Sequence, residues 1–134
     1  MTIRYLADTH VLVRWLLDER ALSNAQRRVV RRISPERPLI VAEITLWEVA
    51  TLYELGRLRL PLPLRDWLER ATAAPLVERV GISPAIAAEV AALPKSFHRD
   101  PADRILVATA RALGASLVTS DQRIVDAGLV ATVD

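Results

Sequence analysis

One feature constrains this chain more than any other. Short, continuously apolar runs alternate with longer stretches of helical spacing from one end to the other. The segments "IRYLA" (3–7), "LIVAEI" (39–44), "PLVERVGI" (75–82), "SLVTSD" (116–121) and "LVATV" (129–133) read as strands. Helices are predicted over about 10–18, "LSNAQRRVVRRIS" (22–34), "TLWEVATLYELG" (45–56), the end of "RLRLPLPLRDWLERA" (57–71), "SPAIAAEVAALP" (83–94), "PADRILVATARALGA" (101–115) and "QRIVDAG" (122–128). Strands apolar along their whole length belong to a parallel sheet covered on both faces, so the fold class is α/β with a central, mostly parallel sheet flanked by helices. In such sheets, ligand-binding groups collect at the carboxyl ends of the strands.

Local punctuation supports the helices. Thr9, Thr45 and Ser83 read as N-caps, Pro84 and Pro101 occupy first helical positions, and Gly56 and Gly114 follow helix ends. At 134 residues the chain is expected to form a single domain, 1–134. Hydrophobic residues make up 51%, which excludes a disordered or low-complexity chain. No apolar run is long enough for a membrane span and no basic-then-apolar leader is seen, so no membrane association is expected. Cysteine is absent, which removes disulfides and thiolate metal sites and fits a cytoplasmic location.

The balance of 18 Lys+Arg against 16 Asp+Glu is only slightly basic, and all but Lys95 of the positive residues are arginine. Arginine is the better phosphate fork. Arg27, Arg28, Arg31 and Arg32 form a basic face on the second helix, read either as a guide for a polyanion or as an ordinary solvated surface. Arg57 and Arg59 are open to the same two readings.

The acids are more informative. Asp8 ends the first strand and Asp121 ends "SLVTS"; Glu48 lies three residues after Thr45, and Asp103 three after Asp100. Each has a local explanation. "TLWE" matches a capping box, "DPAD" supplies an N-cap with an acid in the first turn, and Asp8 and Asp121 can cap the helices that follow. All four nevertheless fall where a parallel sheet gathers its ligand groups. At about 4 Å and an effective dielectric of 20, two like charges repel by on the order of 4 kcal/mol. Carboxylates so gathered need either protons or a divalent cation. An all-oxygen donor set suits Mg²⁺, with Mn²⁺ as the alternative, and both serve phosphate chemistry.

The order "LADTH", "ITLWEVA", "HRDPADRILVATARALGASLVTSD" resembles the PIN-domain ribonucleases, and among them the VapC toxins of bacterial toxin–antitoxin pairs. The resemblance spans nearly the whole chain and carries "GRLRLPLPLRDWL" with it. It implies a PIN-like three-layer sandwich and a Mg²⁺- or Mn²⁺-dependent endoribonuclease. It further implies a homodimer restrained by a cognate antitoxin. The family's acidic quartet falls on Asp8, Glu48, Asp103 and Asp121. Asp8 and Asp103 are expected as direct metal ligands, with Glu48 and Asp121 completing the site during in-line hydrolysis to a 5′-phosphate and a 3′-hydroxyl. Thr9, Thr119 and Ser120 are candidates to orient a carboxylate or water, with Thr9 expected as a cap. Asp100 is expected as a cap, His98 as a solvated loop residue, and His10 as pointing out of the cluster. Arg104 is expected to turn away from Asp103, and Trp47 to pack in the core or a dimer contact. "WLLDE" and "VATLYELG" are candidate walls of an antitoxin groove. Two other readings stay open. One is an aspartyl-phosphate enzyme using Asp8 with Lys95, and the other a non-catalytic module that binds RNA or protein.

Overall fold

The computed structural model describes residues 2–134. Strand β1 (Tyr5–Ala7) leads into helix α1 (Thr9–Leu17), a 3₁₀ turn (Glu19–Ala21) and α2 (Asn24–Val30). Then come β2 (Leu39–Ala42), α3 (Ile44–Glu54), α4 (Leu64–Ala71), β3 (Val77–Val80) and α5 (Pro84–Ala92). The chain closes with α6 (Pro101–Leu113), β4 (Ser116–Val118), α7 (Gln122–Ala127) and β5 (Thr132–Val133).

The five strands form one sheet in the order β3-β2-β1-β4-β5, and every pairing is parallel. Alternation along the strands sorts side chains between the two faces. Leu6, Ile40, Ala42 and Leu117 face a core built with Ile86, Phe97, Leu106 and Ile124 from α5, α6 and α7 and the loop before α6. Ala7, Leu39, Val41 and Val118 face a second core with Val11, Leu12, Val29 and Val30 from α1 and α2. The result is the expected three layers. A smaller cluster packs α3 on α4 through Val49, Trp67 and Ala71, and the leucines of "RLRLPLPL" close over it. Chain order reverses direction across the sheet between β1 and β4, which opens a crevice at their carboxyl ends.

Several helix boundaries differ from the expected ones for identifiable reasons. Helix α2 ends at Val30 because Arg31–Ser34 turn towards a Ser34–Arg37 bridge, and Ser34, preceding Pro35, is poorly suited to helix. Its cap is Ser23 in a capping box with Gln26, which is fully buried and also donates to Ser120 Oγ at 2.9 Å. Thr9 and Thr45 are not caps. Asp8 caps α1, and α3 begins directly from Glu43. Trp47 is 61% exposed and so takes no part in the core.

Candidate active site

Each acid of the quartet comes from the segment that follows a strand or opens a helix. Asp8 leaves β1, where its N–H still joins the sheet at Val118 O (3.0 Å). Its Oδ1 accepts the Val11 N–H at 2.8 Å, and its Oδ2 accepts the Thr119 hydroxyl at 2.5 Å. The side chain is buried. Burial pushes its pKa up, and the Thr119 and Val11 bonds, with the charges of His10 and Arg14, pull in the other direction.

Glu48 lies one turn inside α3. It does not reach back to cap its own helix; its Oε1 accepts the Thr9 hydroxyl at 2.5 Å. Thr45, the residue expected as the cap, is buried 3.3 Å from that hydroxyl. Two hydroxyls from different helices therefore sit where a capping box was expected. Burial raises the Glu48 pKa, the Thr9 bond partly offsets this, and the negative charges of Asp103, Asp100 and Asp8 raise it further.

Asp103 sits in the first turn of α6, where Asp100 Oδ1 caps its N–H at 3.0 Å as the "DPAD" pattern predicts. Its Oδ2 is 2.7 Å from His98 Nε2. His98 is thus not a solvated loop residue; its ring lies against Phe97 and is mostly covered. Burial raises the Asp103 pKa, the His98 bond opposes this, and Asp100 and Asp121 add to the rise. Asp121 caps α7 through Arg123 N–H (2.9 Å) and pairs with Arg123 Nη2 at 3.1 Å. Burial pushes Asp121 up, but the Arg123 bonds and charge outweigh it and leave its pKa lowered.

Asp8, Glu48, Asp103 and Asp121 all line one cleft of about 330 Å³ at the carboxyl ends of the strands. Asp100, Thr9, His10, Arg14, Ser120 and Arg123 share its wall. His10 therefore faces the cleft rather than away from it. Lys95 does not line it, so Asp8 lacks the lysine that an aspartyl-phosphate site requires. Among the described residues, no three His, Asp or Glu side chains are drawn together tightly enough to grip an ion by themselves. The oxygen-rich donor set and three upward-shifted carboxyls fit a small hard cation.

The family model for the PIN domain matches residues 5–129. The chain belongs to the PIN-domain family. It is 40% identical over 119 residues to Ribonuclease VapC22 of Mycobacterium tuberculosis, covering 89% of this chain and 88% of that one. Its fold superposes with a TM-score of 0.72 on VapBC2 from Rickettsia felis bound to a promoter DNA fragment, at 14% identity, with 98% of each chain covered. A TM-score of 0.69 relates it to FitAcB from Neisseria gonorrhoeae at 20% identity, covering 97% of this chain and 96% of that one.

This PIN domain also contains site residues that sequence reasoning passed over. Arg123 bridges Asp121 and Asp103, at 3.1 and 3.5 Å. Its proximity to Asp121 was visible as a spacing of two, but its reach to Asp103 depends on the packing of α7 near α6. Arg14 reaches the cleft from one turn and a half along α1. Arg104 turns away from Asp103, as expected, and is buried. Its guanidinium donates to the carbonyls of Phe97 (3.2 Å), His98 (3.4 Å) and Val90 (3.4 Å), which ties the loop carrying His98 to α5 and α6.

Proposed function

We propose that this PIN domain is a Mg²⁺- or Mn²⁺-dependent endoribonuclease and the toxin of a toxin–antitoxin pair. One observation carries the reading: four acids from segments spread over more than a hundred residues of chain line a single cleft at the strand ends. Kinship with a protein named as a ribonuclease supports the same conclusion.

Asp8 and Asp103 would hold the cation, each with an oxygen steadied by a neighbour: Thr119 for Asp8 and His98 for Asp103. Glu48 and Asp121 would complete the site, directly or through water. When present, Mg²⁺ supplies Lewis acidity towards the phosphodiester and a lowered water pKa. Glu48, whose raised pKa makes it the better proton acceptor, would take the proton of the attacking water. Arg14 and Arg123 on the wall bring positive charge to the non-bridging phosphate oxygens. In-line attack leaves a 5′-phosphate and a 3′-hydroxyl.

The antitoxin reading draws support from a structural neighbour described as a toxin–antitoxin complex from Klebsiella pneumoniae and from apolar surface on this chain. Leu16 and Leu17 at the end of α1, and Trp47, Tyr53 and Leu55 along and just past α3, are exposed, and most lie in the two segments singled out as groove walls. A homodimer is part of the same proposal.

The test is cleavage of cellular RNA by the wild-type protein and by Asp8→Asn, with Mg²⁺ and with EDTA. The reading expects cleavage only by wild type with the ion, and a loss of at least about a hundredfold in the variant. A folded Asp8→Asn protein that cleaves at the wild-type rate overturns it. RNA binding without cleavage under any ion would favour the non-catalytic module.

A further inference from the structure

The basic face read from the sequence does not act as a unit in the fold. Arg27 is hydrogen-bonded to Asn24, and Arg31 pairs with Glu19 at 2.9 Å. Arg28 and Arg32, one turn apart on and just past α2, face a different surface. They line a cavity of about 890 Å³ together with Arg37 and Arg4. Arg4 is paired with Glu78 at 2.7 Å, whereas Arg28, Arg32 and Arg37 make no ion pair among the described residues.

The cavity lies at the opposite end of the sheet from the acidic cleft. Its walls include the segments that lead into β1 and β2, together with one side of α2, whereas the cleft is built on the segments that leave the strands. The rest of its lining mixes apolar side chains, Ile3, Val29, Ile33 and Leu39 among them, with two carboxylates, Glu36 and the Glu78 already paired with Arg4. Its size is in the range of ordinary ligand sites. With Arg4 and Glu78 neutralising each other, three guanidiniums outside any ion pair against the single carboxylate of Glu36 leave the cavity net positive beside its apolar residues, which matches a ligand charged on one side and flat and apolar on the other. A nucleotide has that composition. A nucleic-acid strand also carries successive charges along one edge, and Arg28, Arg32 and Arg37 offer more than one cation to it on the wall of the same cavity. An acidic peptide would need its carboxylates placed to match.

We propose that the cavity lined by Arg28, Arg32 and Arg37 is a second RNA-binding site, holding phosphates of the substrate strand away from the bond that is cut. It rests on the reading of the substrate as RNA. By anchoring the strand at a distance, it would favour long RNAs over short ones.

The test measures binding of a labelled single-stranded RNA in EDTA, so that cleavage plays no part, across a series of salt concentrations. The probe proteins are Arg28→Gln/Arg32→Gln and, as a control of equal charge change on the same stretch of chain, Arg27→Gln/Arg31→Gln. The first double variant is expected to bind about tenfold more weakly at 0.1 M salt, with the slope of log K against log salt reduced by about 1.4. The control is expected to change little. Equal losses in both would mean that only overall charge matters and would overturn the site. So would unchanged RNA affinity in the first variant, including the case where its association with an acidic protein partner weakens instead. Failure of the nuclease reading shows separately, as absence of cleavage by the wild-type protein with Mg²⁺.

Discussion

Asp8 gives one carboxylate oxygen to the Val11 N–H and the other to the Thr119 hydroxyl. Asparagine keeps an acceptor for Val11, and the Thr119 hydroxyl can rotate to accept from the new amide. Asp8→Asn is therefore expected to fold, and without divalent ions to melt at or above the wild-type temperature, because a buried charge has been removed. Asp8→Ala also loses the cap and should be less stable than Asp8→Asn by about 1 kcal/mol in chemical denaturation. The direction of the pKa shifts fixes a pH dependence as well. Asp8, Glu48 and Asp103 bind their protons more readily folded than unfolded. Their contribution to stability is present below the ordinary carboxylate range and is lost as pH rises through the raised values. Asp121, shifted down, contributes in the opposite sense: its share is present at neutral pH and is lost as pH falls through its lowered value. In EDTA, then, thermal melts of the wild type should gain relative to Asp8→Asn as pH falls through the raised value of Asp8 towards the ordinary carboxylate range. Saturating Mg²⁺ should erase that gain, and a difference unchanged by pH would contradict the shifts.

At the scale of elements, the legible helices are those whose signals lie within their own segment. Ser83 with Pro84 opens α5, and Asp100 with Pro101 opens α6. Gly114, at φ 64°, closes α6, in a backbone region that costs other residues about 1 kcal/mol or more. The start of α3 was misread because Thr45 looks like a cap, while its partner is Thr9, brought there only by tertiary packing. For the same reason "TLWE" matched a capping box and Glu48 answered to another helix. Arg104 was legible only as a residue turned away from the acids, since a buried arginine held by three carbonyls leaves no local pattern. Arg104→Met is expected to leave those carbonyls without their donor and to cost about 1–3 kcal/mol in denaturant unfolding. Hydrogen exchange should quicken first in the loop before α6. Loss of stability without local exchange in residues 97–100 would argue against a strapping role for Arg104.

Across the whole molecule, the alternation of apolar runs and helices carried the layers, and period-two sorting of residues such as Leu6 and Ala7 carried the two cores. Which strands lie side by side was not legible. The neighbouring of β1 and β4, which brings Thr119 onto Asp8 and Asp121 into the cleft, depends on contacts more than a hundred residues apart. Because the cleft gathers repelling groups, an ion that binds only the folded chain should stabilise all of it. Mg²⁺ or Mn²⁺ at a hundred times its dissociation constant should add about 2.7 kcal/mol, read as a rise in melting temperature that Asp8→Asn abolishes. Three of the acids that line the cleft, Asp8, Asp100 and Asp121, also open helices α1, α6 and α7. A single base change turns an aspartate codon into an asparagine codon, and the amide can still start the helix. On the proposed toxin reading, survivors of overproduction should therefore include Asp→Asn changes at these positions, with the polypeptide intact at normal abundance.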